Sequence, residues 1–255
     1  MKIGVPGCTG RVGALIVKEL LSGNWEGMEL AGGTTRSPDK VNADYLVTNN
    51  PEKLFENADL VIDFTTVEAS RTHIDLAIKL KTPLILATTG FNANDENNIK
   101  KASAEIPLLY AANTSIAVTM LDALVEKAAA GMGPGFDIEI IEAHHKHKVD
   151  APSGTAIMLG KTAAKARQHN FDDVAVLSRE GHTGPRSDNE IGFSTIRGGD
   201  AVGEHTVYFI GNGERLELKQ QATNRALYAR GALQAAKWLK NQQPGLFSMR
   251  DVLGL

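Results

Sequence analysis

Lys2-Ile3-Gly4-Val5-Pro6-Gly7-Cys8-Thr9-Gly10-Arg11-Val12-Gly13-Ala14-Leu15-Ile16-Val17-Lys18-Glu19-Leu20-Leu21 is the stretch on which the fold turns. A short apolar run passes at once into spaced glycines, and Val12, Leu15, Ile16 and Leu20 then recur on one helical face. The order is strand, glycine loop, helix. Such glycines let the backbone turn tightly and approach a pyrophosphate, while the helix N-terminus stabilises the phosphate charge. The spacing is G-x-x-G-x-x-G rather than G-x-G-x-x-G, because Thr9 holds the usual second glycine position. Glycines in a turn are often merely structural; the place of this set between strand and helix is what points to a dinucleotide.

Outward from that stretch, a second strand is expected over Met28–Gly32, followed by Gly33-Thr34-Thr35-Arg36-Ser37. A ribose-reading acid would fall at this strand end, and none is present. Arg36 and the hydroxyls suit the extra phosphate of NADP instead. Leu60–Phe64, Pro83–Ala87 and Pro107–Ala111 read as further strands, separated by a helix opened at Thr65-Thr66 and another over 97–104. That alternation predicts a doubly wound parallel sheet, whose ligands bind beyond the carboxyl ends of the strands. Thr88, Thr89, Asn113 and Thr114 lie there, whereas Thr65 and Thr66 are explained as helix caps.

A second centre of chemistry is Glu142-Ala143-His144-His145-Lys146-His147-Lys148-Val149-Asp150-Ala151-Pro152-Ser153-Gly154-Thr155, which holds three of the chain's seven histidines. Residues 136–143 mostly alternate apolar and polar, which puts the histidines at a strand end, with His145 and His147 on one face and His144 on the other. Ser153 is a good N-cap for a helix whose apolar face is Ala156, Ile157, Leu159, Gly160, Ala163 and Ala164. Unpaired N–H groups and the positive helix end would together receive a carboxylate or phosphate. Three readings compete: a metal site, a solvated basic loop, and a site for an anionic substrate with His and Lys as proton donors. Lys146 and Lys148 would set two positive charges beside a cation, which weighs against a metal. The helix start after the run weighs against a bare loop.

Beyond a long helix from Ser115 to Met132, strands come with glycine turns, at 191–196, 204–210 and 215–218, and Gly211-Asn212-Gly213 is a hairpin signal. We therefore expect a second, α+β domain over 115–219 with an open mixed sheet covered by the helices 115–132 and 153–168. The dinucleotide domain comprises 1–114 and 220–255, including a returning helix at 224–239. With 42% hydrophobic and 22% charged residues over 255, a sizeable core is expected. A net charge of −3 argues against nucleic-acid binding. The single cysteine, Cys8, excludes internal disulfides and fits a reducing compartment. No apolar run approaches the roughly 18 residues of a membrane span, and the N-terminus reads as a strand rather than a signal peptide, so the expected location is cytoplasmic.

Taken together, the glycine loop, Ala87-Thr88-Thr89-Gly90, Ala112-Asn113, the Glu142–Thr155 block and Ile196-Arg197-Gly198-Gly199-Asp200 resemble the dihydrodipicolinate (4-hydroxy-tetrahydrodipicolinate) reductases of diaminopimelate and lysine biosynthesis. The likeness extends to Phe247–Leu253, and the central block is its most specific part. It implies an oxidoreductase that reduces a small cyclic dicarboxylate with NADPH or NADH, in a homotetramer assembled through the sheets of the second domain. It implies His144 and Lys148 as proton-transferring residues, and His145, Ser153, Gly154 and Thr155 as substrate contacts. Cofactor contacts carry over to Gly7, Cys8, Thr9, Gly10, Arg11, Val12, Arg36, Ala87, Thr88, Thr89, Ala111, Ala112, Asn113 and Thr114, with no metal. Thr35 stands where some members have an acid and Thr114 where many have an aromatic residue. The missing acid and Arg36 favour NADPH. Two alternatives stand beside this. A semialdehyde dehydrogenase of similar layout would need a thiolate, and the only cysteine lies in the phosphate loop; an NADP-binding sensor would bind cofactor without turnover.

Overall fold

The computed structural model describes residues 1–255. The chain divides into two compact units, the first comprising Met1–Ile116 with Ala226–Leu255 and the second Ala117–Arg225. No helix is long and apolar enough to cross a membrane.

In unit 1 the chain runs β1 (Lys2–Val5), α1 (Gly13–Leu21), β2 (Glu29–Thr34), β3 (Val47–Thr48), α2 (Pro51–Glu56), β4 (Leu60–Asp63), α3 (Val67–Leu80), β5 (Leu84–Leu86), α4 (Ala93–Ala102) and β6 (Pro107–Tyr110). It leaves through α5 (Ile116–Met132), most of which belongs to unit 2. The strands form one parallel sheet in the order β12-β6-β5-β4-β1-β2-β3, where β12 (Gly245–Phe247) comes from the returning tail. Strand order reverses between β1 and β4, the place where doubly wound sheets bind ligands. Burial on both faces explains the near-continuous apolar strands. In β4 to β6, Leu60, Ile62, Ile85 and Leu109 join one core with α1 and the returning helix, while Val61, Leu84, Leu86 and Leu108 join the other with α2, α3 and α4.

In unit 1 two boundaries and one cap differ from the sequence expectation, each for a local reason. β2 continues to Thr34 because it pairs with β3, a two-residue strand too short to show periodicity. α4 starts at Ala93 rather than Asn97, since Asn92 accepts from the Asn94 and Asp95 N–H groups in a capping box. Thr66 does cap α3, through a contact of 3.4 Å from the Ala69 N–H, but Thr65 does not; its partner is Asp63.

Unit 2 continues from α5 through β7 (Asp137–His144), α6 (Gly154–Ala166), α7 (Phe171–Val174), β8 (Ala175–Val176), β9 (Ile191–Arg197), β10 (Gly203–Ile210) and β11 (Arg215–Ala222). Its mixed sheet has the order β11-β10-β7-β9-β8, with β10 antiparallel to both neighbours and the other pairings parallel. Ile138, Ile140, Phe193, Val207 and Phe209 pack against Leu121 and Val125 of α5 and Leu159 and Ala163 of α6. The same alternation that buries Ile138 and Ile140 carries Glu142 and His144 inward. β11 runs to Ala222, past the 219/220 boundary expected from the change of pattern. The chain then returns to unit 1 as α8 (Ala226–Leu239), β12 and α9 (Met249–Leu253); Ala229, Ala232, Leu233 and Ala236 of α8 join the core shared with α1.

Candidate active site

At the carboxyl end of β7, Glu142 is 1% exposed and is the hub of the unit 2 site. Arg197, the last residue of β9, holds it with a bidentate pair of 2.7 Å contacts. His144 Nδ1 lies 2.6 Å from Glu142 Oε2, and the Ser153 backbone N–H donates to Oε1 at 3.0 Å. One carboxylate therefore joins the His144 imidazole to the start of α6. Burial alone would push the Glu142 pKa up, but hydrogen bonds from Arg197 and then His144 outweigh it and hold it below its ordinary value. As an ionised acceptor, Glu142 fixes the Nδ1–H tautomer of His144 and leaves Nε2 to exchange a proton. A Cβ on Gly203 would sit 2.9 Å from that Nε2, so only glycine leaves the atom uncrowded.

Ser153 caps α6 as expected, accepting from the Ala156 N–H at 3.2 Å. Its Oγ also lies 3.0 Å from His205 Nε2. Burial, and next the nearby His144, push the His205 pKa down to about 4, so this imidazole is neutral at neutral pH. Gly154 is exposed and Thr155 half-buried in the first helical turn, where N–H groups have no intrahelical partner.

β7 ends at His144, so His145 and His147 lie in a turn and do not share a strand face. The His145 and Lys146 N–H groups bond to Ala201 and Gly199 carbonyls, which takes the turn out of the ladder and ties it to the loop after Arg197. Gly199 has φ +55°, which favours glycine there. Arg225 Nη2 lies 3.2 Å from His145 Nε2 and donates to it, leaving the His145 proton on a shielded Nδ1 with no partner in the chain. Burial, then the positive Arg225, keeps the His145 pKa below its ordinary value. Lys148 Nζ is 2.8 Å from Asp150, whose pKa that contact lowers. Lys146 and His147 are exposed and fit the solvated-loop reading. No group of three or more His, Cys, Asp or Glu side chains is placed to hold a metal ion. Glu142 and His145, two of the ligand types in the block, face guanidinium groups instead.

In unit 1, Gly7 has φ +65°, and a Cβ on Gly13 would stand 2.2 Å from the Gly7 carbonyl, so the loop folds against the start of α1. Gly10 N–H donates to the Gly7 carbonyl at 2.8 Å. Val12 is the N-cap of α1, which has no side-chain cap, leaving the donors and positive end that a pyrophosphate requires. The residues therefore fit a dinucleotide, with unequal parts. Thr9, Gly10, Arg11, Arg36, Thr89 and Ala112 are exposed, and Val12, Ala111 and Asn113 half-buried. Ala87 and Thr88 are buried where β5 ends. Cys8 is buried, its N–H donates to the Thr34 carbonyl, and burial pushes its thiol pKa up, which leaves no thiolate for the semialdehyde dehydrogenase alternative. Thr114 is fully buried and donates to the Tyr228 carbonyl at 2.8 Å, so its side chain shapes the turn from within. Arg197, His205, Arg225 and Asp63 were not singled out as functional from the sequence; only Arg197 lies in a segment that carried the resemblance.

A parallel nucleotide-type sheet with an exposed phosphate loop in unit 1, and a His–Glu–Arg cluster at a helix start in unit 2, are the parts of a nicotinamide-nucleotide oxidoreductase. Two family models match: dihydrodipicolinate reductase, N-terminus, over residues 1–114, and dihydrodipicolinate reductase, C-terminus, over 117–253. The chain belongs to the dihydrodipicolinate reductase family. It is 44% identical to the 4-hydroxy-tetrahydrodipicolinate reductase of Magnetococcus marinus, over 100% of this chain and 98% of that one. It is 45% identical to that of a Sulfurovum species, over 100% and 99%. Its fold is shared with the dipicolinate-bound dihydrodipicolinate reductase of Paenisporosarcina sp. TG-14, at a TM-score of 0.81 and 23% identity over 97% of each chain. A probable dehydrogenase of Thermotoga maritima is more distant, at 0.61 and 15% over 99% of this chain and 92% of that one.

Proposed function

We propose that this protein reduces 4-hydroxy-tetrahydrodipicolinate to tetrahydrodipicolinate in diaminopimelate and lysine biosynthesis, and that NADPH is preferred to NADH. The observation that carries the site assignment is a buried carboxylate, Glu142, bonded to both His144 and the Ser153 N–H that opens α6.

Reduced nicotinamide, when bound in unit 1, supplies the hydride. The residues of unit 2 do the rest. The first turn of α6, at Gly154 and Thr155, receives a ring carboxylate beside Ser153, helped by the His145 Nδ1–H. The 4-hydroxyl leaves as water with a ring hydrogen, and Lys148 Nζ gives up a proton to the negative charge that the hydride then leaves on the ring, a general-acid contribution. His144, oriented through Nδ1, exchanges a proton at Nε2. Arg197 neutralises Glu142, so that the charge of Arg225, and that of Lys148 as it exchanges Asp150 for substrate, meets the two carboxylates of the substrate.

Arg36, exposed just beyond β2, supports the NADPH preference, with no acid from Gly33 to Ser37 to repel a 2′-phosphate. The protein is further proposed to be a cytoplasmic homotetramer. Ile196 and Ile210, exposed on the sheet face that alternation turns away from α5 and α6, support association through that face; sedimentation should give four times the chain mass.

The decisive assay adds the condensation product of pyruvate and aspartate semialdehyde to enzyme and NADPH. Stoichiometric oxidation of NADPH is expected. A protein that binds NADPH and leaves it unoxidised would instead be a sensor, and the reductase reading would fail.

A further inference from the structure

Asp63, the last residue of β4, is 0% exposed and takes no part in the chemistry above. Its Oδ1 accepts the Thr65 N–H at 2.8 Å and the Thr65 hydroxyl at 2.6 Å. Its Oδ2 accepts the Ser70 hydroxyl at 2.8 Å and faces His73 Nδ1 at 2.8 Å. Burial pushes the Asp63 pKa up, but His73, Thr65 and Ser70 together hold it below its ordinary value. It is therefore an ionised acceptor with no proton to give.

That fixes the direction of every hydroxyl around it. Thr65 gives both its N–H and its O–H to Asp63, so it can meet a ligand only with lone pairs. Ser70 has one hydrogen for two contacts. Asp63 and Thr88 share it, each 2.8 Å from the Ser70 oxygen, so the place of the Thr88 hydroxyl is tied through Ser70 to Asp63. Thr65 also packs against the phosphate loop, since a Cβ on Gly7 would lie 3.0 Å from Thr65 Cγ2. The Asp63 carbonyl accepts the Ala87 N–H at 2.8 Å. One residue thus ties together the turns after β1, β4 and β5.

We propose that Asp63 is a positioning residue of the nucleotide site, which sets Thr65 against Gly7 and, through Ser70, Thr88 at the base of the Ala87–Thr89 turn, and which makes Thr65 an acceptor for a ribose hydroxyl or amide N–H of the nucleotide. The proposal rests on the reading of unit 1 as the nucleotide site. Ser70 belongs to the same relay, although α3 holds it away from the loops it controls.

The test is NADPH affinity by calorimetry, with melting temperature measured alongside, for Asp63→Asn, Ser70→Ala and Thr65→Val. Asp63→Asn should raise the Kd about tenfold or more and Ser70→Ala about threefold, the scale of a charge-assisted and an ordinary hydrogen bond. The kcat at saturating NADPH should stay within about twofold, because the bound geometry is recovered once the nucleotide is in place. A lowered melting temperature with unchanged Kd in Asp63→Asn and Ser70→Ala would overturn the proposal and leave Asp63 a stability residue. Should Asp63→Asn fail to fold, Ser70→Ala decides alone, and an unchanged Kd there overturns the relay. A wild-type protein that binds NADPH but reduces nothing sinks the reductase reading and leaves this test standing. One that binds neither nucleotide overturns both.

Discussion

Asp63 and Glu142 are the same device built twice with different counter-charges. Each is a carboxylate at the carboxyl end of a strand, with 0% and 1% exposure. Asp63 is held ionised by two hydroxyls, a backbone N–H and His73, with no guanidinium or ammonium against it. Glu142 is held by the bidentate Arg197 as well as His144 and the Ser153 N–H. Hydroxyls add direction without charge, which suits a loop assembly that must be shaped. A guanidinium cancels the carboxylate, which suits a site whose remaining cations are proposed to face a dicarboxylate. Removing either carboxylate should therefore fail differently: in unit 1 direction is lost, and in unit 2 a guanidinium loses its counter-charge.

The largest effect should come from Glu142→Gln. Breaking a buried pair on one side costs about 3–5 kcal/mol, and Arg197, at 21% side-chain exposure, would keep part of that by reaching water. Chemical denaturation should show it clearly more destabilised than Asp63→Asn; equal losses would erase the distinction. Both carboxylates have lowered folded values, so their stability is complete above 4.5 for Glu142 and 3.8 for Asp63 and is lost as pH falls through the lowered values.

Lys148→Ala should cut turnover by roughly 10²-fold or more, in line with general-acid contributions. Unchanged turnover would remove Lys148 from the mechanism and leave its 2.8 Å contact to Asp150 as its only role.

His205 offers a third handle in unit 2. Its value falls from 6.5 to about 4, so the unfolded chain takes up a proton in that window and the folded chain does not. Stability should thus decline as pH drops from 6.5 toward 4, by at most about 3 kcal/mol at 1.36 kcal/mol per unit. His145 acts in the same direction. His205→Gln should flatten the decline, and an unaltered slope would mean that His205 takes up its proton freely in the fold.

The smallest effect is the cofactor choice. Arg36→Ala should weaken NADPH about tenfold to a hundredfold, the worth of one charge-assisted hydrogen bond, with little effect on NADH. Thr35→Glu should move preference toward NADH. Equal loss for both nucleotides would show that the strand end does not read the 2′-phosphate.

Much of this was legible in the sequence because the signals are local. The strand, glycine loop and helix of residues 2–21 and the Ser153 cap lie within single windows, and the turn at 211–213 joins β10 and β11 in register from Gly203↔Ala222 to Ile210↔Arg215. The hubs were not legible, because their partners are distant: Arg197 comes from 55 residues beyond Glu142, and the Ser153–His205 contact spans 52. β3 and β8, of two residues each, are too short to show a period. Exposure was the other blind spot. Cys8 and Thr114 read as loop residues near a nucleotide, yet the fold turns both inward, Cys8 against Gly33 and Thr114 beneath Tyr228. Thr65 looked like a cap, and only the position of Asp63 shows otherwise.

The division of chemistry between the two units is tested most directly by crossed binding, with NADPH and dipicolinate each titrated into Lys148→Ala and Arg36→Ala. Lys148→Ala should weaken dipicolinate at least about tenfold, as loss of a charge-assisted contact does, and leave NADPH unchanged, while Arg36→Ala does the reverse. A Lys148→Ala protein that loses NADPH as strongly as dipicolinate, or an Arg36→Ala protein that binds NADPH as well as wild type, would contradict that division.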